Sequence, residues 1–194
     1  MASVCIYLQV HQPYRVKRYR VFDIGEDSNY FNATGENNLS NEWILKKVAT
    51  KSYTPTLRVL LELLEKHPEF TFALSFSGVV LEQLEAWAPE TLALFKKAIA
   101  TGRVEVLAET YYHSLAFFYS KKEFETQVAF HAKKIKDLFG VTPTTFRNTE
   151  LSYRNDVGTW AEGAGYMAVL AEGWHRVLGK EVLTLCITQK APRI

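Results

Sequence analysis

The sequence predicts an α/β fold in which parallel strands alternate with helices. Short apolar runs rich in β-branched residues recur along the chain, and each is followed by a segment with the apolar spacing of a helix. The first run, residues 3–10, is almost continuously apolar, as in a strand that is covered on both faces. No Gly-x-Gly-x-x-Gly sequence follows this run and no Walker sequence is present, which disfavours an open nucleotide-binding sheet. The pattern therefore favours a (β/α) barrel.

The first helical region follows a polar stretch, residues 23–40, which is too long for a plain connection. A helical apolar period covers residues 43–48. A second helix is predicted to begin at Thr54, whose hydroxyl is expected to cap it, with Pro55 in the first turn and residues 67–68 at the end. Four leucines form its apolar face: Leu57, Leu60, Leu61 and Leu64.

The rest of the chain repeats this alternation. Four further strands are predicted, at residues 70–76, 103–108, 144–147 and 166–171. Helices are predicted between them, at residues 81–87, 89–99, 121–138 and 157–164. Ser120 and Glu123 form a predicted capping box, and Gly140 is expected to end the helix that they begin. Trp43 and Trp160 fall on helix faces and are predicted to be core residues.

Charge and cysteine content argue against several classes of partner. The 23 Lys and Arg residues against 21 Asp and Glu residues give a net charge of only +2, so no nucleic-acid partner is expected, and the basic run at residues 15–20 is predicted to be a solvated loop. Two cysteines make neither a metal spacing nor a disulfide framework, so no cofactor or metal is expected. The sequence shows no signal peptide and no membrane span. We therefore expect a cytoplasmic protein with a single domain over residues 1–194.

Polar and aromatic residues follow each predicted strand, where parallel α/β folds place their active sites. These segments are residues 11–13, 77–78, 109–113, 148–150 and 172–174. Aromatic rings and hydrogen-bonding groups suit a sugar, and cleavage of a glycosidic bond requires two carboxyl groups. Glu150 is the first candidate, because Arg147 and Asn148 precede it and are expected to supply donors to its carboxylate. Glu109 is the second candidate.

Three sequence segments make the prediction of a sugar site more specific: HQP at residues 11–13, GRVEVLAETYYHSLA at residues 102–116 and FRNTELSY at residues 146–153. In this order they resemble the first three conserved sequence regions of glycoside hydrolase family 57, and the α-amylase-like branch in particular. The resemblance implies an incomplete (β/α)7 TIM-like barrel. It also implies retaining hydrolysis or 4-α-glucanotransfer on an α-1,4-glucan or maltooligosaccharide.

The same resemblance assigns roles to individual residues. Glu150 matches the nucleophile of the third region, and the acid of this family is an aspartate from a fourth region. Four residues near the ends of the first and third strands match substrate-binding positions: His11, Gln12, Glu109 and His113. Trp174 is also predicted to bind substrate, as an aromatic ring on which a sugar packs. Taken alone, His11 would be interpreted as a turn residue and His113 as a hydrogen-bonded core residue.

The fourth and fifth regions of the family are not found in the sequence. Residues 180–194 do not resemble the family's continuation and are expected to form an atypical C-terminal tail. We therefore expect a truncated chain that is inactive alone and that self-associates through open sheet edges.

Two alternatives remain open. The first is a non-catalytic α-glucan-binding remnant that uses Tyr111, Tyr112 and Trp174. The second is a metal-dependent, deacetylase-like hydrolase with His11, His113 and either His175 or Glu150 as ligands, although these histidines lack a clustered ligand spacing.

Overall fold

The structure, a computed structural model, describes residues 4–31, 40–172 and 186–187. The chain divides into two compact units. The strand unit comprises Met1–Val10, Phe72–Gly78 and Val104–Ile194, and the helix unit comprises His11–Thr71 and Val79–Arg103. Six strands are described: β1 (Tyr7–Val10), β2 (Phe72–Phe76), β3 (Val104–Leu107), β4 (Thr145–Arg147), β5 (Ala168–Leu170) and β6 (Cys186–Ile187). Six α-helices accompany them: α1 (Asn41–Val48), α2 (Thr54–Lys66), α3 (Gly78–Trp87), α4 (Pro89–Ile99), α5 (Lys121–Phe139) and α6 (Asn155–Gly163).

The strands of the strand unit are arranged in chain order. β1, β2 and β3 form one parallel sheet in that order, and β4 pairs in parallel with β5. A parallel bridge between Ala108 and Phe146 connects the end of β3 to β4. The predicted fold of parallel strands alternating with helices in an incomplete barrel is therefore confirmed. Of the predicted C-terminal tail, only Cys186–Ile187 is described, and it pairs antiparallel with β5.

The core of the strand unit lies between β4 and the helices α5 and α6. Phe124 is fully buried there, together with Phe117, Phe146 and Val157. Trp160 packs with its ring centroid 4.5 Å from that of Phe124, which confirms that it is a core residue. Half of the predicted capping box of α5 is confirmed, since Ser120 Oγ accepts the Glu123 N–H, whereas the Glu123 side chain accepts from Gln127 Nε2. The predicted end of the helix is also confirmed, because Gly140 follows it with a φ of 73°.

In the helix unit, α1 and α2 are joined by a π-helical turn, Ala49–Tyr53. The predicted N-terminal cap at Thr54 is wrong. Thr54 has helical backbone angles, its N–H bonds to Ala49 O, and its hydroxyl bonds to the Thr91 hydroxyl at 3.0 Å. Trp43 is also not a core residue, because it is 38% exposed and carries Lys47 Nζ 4.7 Å from its ring centroid.

The helices described in residues 4–31, 40–172 and 186–187 are all too short or too polar to cross a membrane.

Gly78 permits a close approach between two segments of the strand unit. Its N–H donates to Tyr111 O at 2.7 Å, and a Cβ at position 78 would overlap the Tyr111 ring. We expect Gly78→Ala to lower the free energy of unfolding by about 1–3 kcal/mol in urea denaturation. Gly163→Ala is the control, because its added methyl group meets no atom within 4 Å. An equal loss in both variants would contradict this explanation.

Candidate active site

A buried ion pair lies where β1, β3 and β4 end. Glu109 follows β3 and Arg147 is the last residue of β4, and their side chains are 0% and 1% exposed. Arg147 Nη1 donates to Glu109 Oε2 at 2.5 Å, and Nη2 donates to Gln9 Oε1 on β1 at 3.0 Å. Charged groups are stable in such a position only when they are paired and hydrogen-bonded. The guanidinium group thus ties together the ends of three strands.

His131 on α5 supports the backbone beneath this pair. It is fully buried, its Nε2 lies 2.7 Å from Phe76 O, and the Glu109 N–H donates to its Nδ1 at 3.5 Å. Burial lowers the pKa of His131, although the charge of Glu109 and the Phe76 carbonyl act in the opposite direction. A neutral ring with its proton on Nε2 satisfies both contacts. The contact between His131 and Glu109 was not predicted from the sequence.

His113 connects the buried pair to Glu150. Its Nε2 lies 2.8 Å from Glu150 Oε1 and its Nδ1 lies 3.7 Å from Glu109 Oε2, and the side chain is 10% exposed. Gln9 Nε2 lies 3.4 Å from the same Nε2. Burial acts to lower the pKa of His113, but interactions with the carboxylates of Glu109 and Glu150 outweigh burial and raise the pKa overall, against an opposing effect of Arg147.

Glu150 lies on a short turn directly after β4. Its side chain is 71% exposed, and its backbone is left-handed, with φ 54° and ψ 28°. Leu151 and His113 also have positive φ values, of 57° and 54°. Such angles cost energy in residues other than glycine and persist only where surrounding contacts impose them. The strained turn therefore marks Glu150 as a functional candidate.

The contacts that impose this turn come from Thr149 and Asn148. Thr149 Oγ1 donates to Ser114 O at 2.8 Å and bonds to Thr110 Oγ1 at 3.0 Å. Asn148 Nδ2 donates to Ser152 O at 3.0 Å. The expectation that Arg147 and Asn148 donate to Glu150 is therefore wrong, because Arg147 Nη1 and Nη2 and Asn148 Nδ2 bind other acceptors.

The structure brings three of the predicted site residues together: Glu109, His113 and Glu150. His11 and Gln12 belong to the helix unit, where His11 O accepts from Tyr53 at 3.4 Å and Gln12 O accepts from Gln83 at 2.7 Å. Trp174 and His175 lie outside the described residues. Within the described ranges, no group of three or more His, Cys, Asp or Glu side chains is arranged to hold a metal ion. Substrate contacts by these residues remain predictions.

Comparison with known proteins gives relatives named as α-amylases and 4-α-glucanotransferases. The putative α-amylase of Methanocaldococcus jannaschii is 36% identical over 172 residues, which are 88% of this chain and 36% of that protein. The α-amylase of Pyrococcus horikoshii is 38% identical over 74 residues, 38% of this chain and 11% of that protein. The chain thus spans about a third of the length of the first of these relatives and less of the second.

Solved structures show the same fold. The 4-α-glucanotransferase of Thermococcus litoralis superimposes with a TM-score of 0.66 at 19% identity, over 92% of this chain and 23% of that one. The α-amylase AmyC of Thermotoga maritima superimposes with a TM-score of 0.61 at 13% identity, over 91% of this chain and 41% of that one. The family model described as glycosyl hydrolase family 57 matches residues 5–192. The chain therefore belongs to glycosyl hydrolase family 57.

Proposed function

We propose that Glu150 is the nucleophile of a retaining enzyme that hydrolyses or transfers α-1,4-glucans. The observation that carries this proposal is the position of Glu150: an exposed carboxylate on a strained turn at the C-terminal end of β4, hydrogen-bonded to His113. The names of the relatives, α-amylase and 4-α-glucanotransferase, support an α-glucan as the substrate.

The geometry suits the first step of retaining cleavage. A carboxylate oxygen of Glu150 attacks the anomeric carbon, and the bond from that carbon to the leaving oxygen breaks as this oxygen takes a proton from an acid, which in this family is an aspartate of the fourth region. Water then releases the sugar in hydrolysis, and a sugar hydroxyl takes it in transfer. A side chain that is 71% exposed is accessible to such a substrate. His11, Gln12 and Trp174 are proposed as sugar contacts, whereas Glu109 is fully buried in this structure.

The proposal is tested with α-maltosyl fluoride that carries a second fluorine on the reacting ring. Fluoride departs with the bonding electron pair as the Glu150 oxygen bonds to the anomeric carbon, so this step requires no acid. The second fluorine slows release of the sugar, so the covalent adduct accumulates. We expect peptide mass spectrometry of the purified chain to locate one maltosyl adduct within residues 146–153.

The adduct should be absent from Glu150→Gln, which keeps the shape of the side chain and removes its charge. Glu162→Gln is the matched control, because Glu162 is an exposed carboxylate on α6, and it should be labelled at the wild-type rate. Circular dichroism verifies that each sample is folded. Labelling that persists in Glu150→Gln, labelling of Glu109, or no labelling of a folded wild-type chain would each overturn the assignment.

A further inference from the structure

The ring of His113 lies between two carboxylates of different character. On the Nδ1 side is Glu109, which is fully buried, and on the Nε2 side is Glu150, which is 71% exposed. We propose that His113 is a positioning residue that fixes the carboxylate of Glu150 relative to the buried pair of Glu109 and Arg147. This inference rests on the proposed role of Glu150 as nucleophile. It explains how the fold would orient the Glu150 carboxylate.

The buried side of this arrangement is rigid. Glu109 is held at its side chain by Arg147, which also binds Gln9 on β1, and at its backbone by His131. Buried, paired charges of this kind move little, because any displacement leaves a charge without its partner. Glu109 is therefore a fixed reference point for the ring of His113.

The loop that carries His113 is also fixed. His113 N donates to Thr110 O at 3.2 Å and Ser114 N donates to Thr110 Oγ1 at 2.9 Å. Ser114 Oγ donates to Gln127 on α5 at 2.8 Å. With its φ held at 54°, His113 directs its ring towards both carboxylates. The backbone contacts therefore fix the point from which the ring extends, and the two carboxylate contacts fix its direction.

Glu150, in contrast, lies on a three-residue turn and extends into solvent. An exposed glutamate samples several rotamers, and ordering such a side chain costs conformational entropy. The bond between His113 Nε2 and Glu150 Oε1 orients the plane of the carboxylate before a sugar arrives. Misplacing a reacting group by about 1 Å is enough to cost about 100-fold in rate. Orientation by His113 would therefore be measurable as a rate.

The bridge that the His113 ring forms between Glu109 and Glu150 is strongest when the ring is protonated, because the charge of imidazolium attracts both carboxylates. The charged groups that act on His113 are Glu109 after β3, Glu150 after β4 and Arg147 on β4. The pKa of His113 is raised from its ordinary value of 6.5, so the contribution of the bridge is complete below 6.5 and is lost as pH rises through the folded pKa. The orientation of the Glu150 carboxylate by His113 should weaken over the same pH range.

The first arm of the test is an NMR titration of the imidazole signals, with His113→Asn to assign the resonance. Asparagine is chosen because it tolerates a positive φ. We expect a pKa for His113 above 6.5 in the wild-type chain and a lower pKa in Glu150→Gln. An unchanged pKa in Glu150→Gln would overturn the bridge. This arm does not use the sugar reagent, so it stands even where the labelling of Glu150 fails.

The second arm compares labelling by the fluorosugar in wild type and His113→Asn. We expect the maximal labelling rate of the variant to fall by about 10- to 100-fold, with little change in the half-saturating concentration. The wild-type rate should decline as pH rises through the pKa of His113, and this decline should be absent in the variant. His67→Asn, at the exposed end of α2, is the control. A raised half-saturating concentration at unchanged maximal rate would assign His113 to sugar binding instead.

Discussion

Arg147→Met is expected to lower the free energy of unfolding by about 3–5 kcal/mol. Methionine approximates the length of arginine but leaves the Glu109 carboxylate buried without its partner and Gln9 Oε1 without its donor. Removing one member of a buried pair is costly because the remaining charge has neither water nor a counter-charge. Urea denaturation followed by circular dichroism at pH 7 measures the loss.

The double variant Glu109→Gln/Arg147→Met distinguishes this cause from lost packing. Because it removes both charges, we expect it to be more stable than the sum of the two single changes predicts. Arg154→Met is the matched surface control, since the Arg154 side chain is 63% exposed in its ion pair with Asp156 and such a pair contributes about 0–1 kcal/mol. Strict additivity in the double variant would show that the charge of Glu109 is not the source of the loss.

Phe124→Ala is expected to cost about 3–5 kcal/mol of the free energy of unfolding. Phe124 is fully buried, and its ring centroid lies 5.0 Å from Phe117, 5.8 Å from Phe146 and 4.5 Å from Trp160, all near edge-to-face. Truncation removes buried apolar surface, leaves a cavity and ends three aromatic contacts. The same urea experiment measures the effect.

Phe130→Ala provides the comparison on the same helix. Phe130 is 53% exposed, and its one described ring contact is with Tyr111 at 6.5 Å, so we expect a loss below about 1 kcal/mol. Phe124→Leu keeps most of the apolar volume and should recover part of the stability. Similar losses for Phe124→Ala and Phe130→Ala would mean that this cluster is not the main core of the strand unit.

The sequence was sufficient to predict the strand pattern and the proximity of three candidate site residues. Apolar runs separated by helical periods require parallel pairing, and parallel strands bring their C-terminal ends to one edge. For this reason Glu109, His113 and Glu150 could be placed near one another, although up to 41 residues separate them in the chain. Their contacts in the structure confirm that expectation.

The hydrogen-bonding partners within the site could not be predicted in the same way. Arg147 and Asn148 were expected to donate hydrogen bonds to Glu150 because they precede it in the chain. The three-residue strand and the left-handed turn after it instead direct these side chains away from Glu150. That turn is imposed by Thr149 binding to Ser114, which lies 35 residues earlier. No local signal such as glycine marks a backbone conformation that distant contacts impose.

The capping role of Thr54 was predicted wrongly for a local reason, although α2 does begin at this residue. Thr54 followed by Pro55 is the usual signature of a helix beginning, because proline lacks the N–H that would bond inside a helix. In the structure the preceding π-helical turn carries the chain through this point, with Thr54 N–H bonded to Ala49 O. The wider turn accommodates Pro55 without ending the helix.

The π-helical turn also determines how insertions and deletions should be interpreted in this stretch. A π-helical turn, with its i→i+5 hydrogen bonds, holds about one residue more than an α-helical turn, so the chain after it continues in nearly the phase that an α-helix would have. One residue removed from Ala49–Tyr53 would therefore convert the turn to α-helix and leave α2 in nearly its present phase relative to α1. One residue removed between Leu57 and Leu60 would instead rotate the rest of α2 by about 100° and move Leu60 and Leu64 off the buried face. A one-residue alignment gap within this turn is thus compatible with an unchanged buried face for α2, whereas the same gap inside α2 is not.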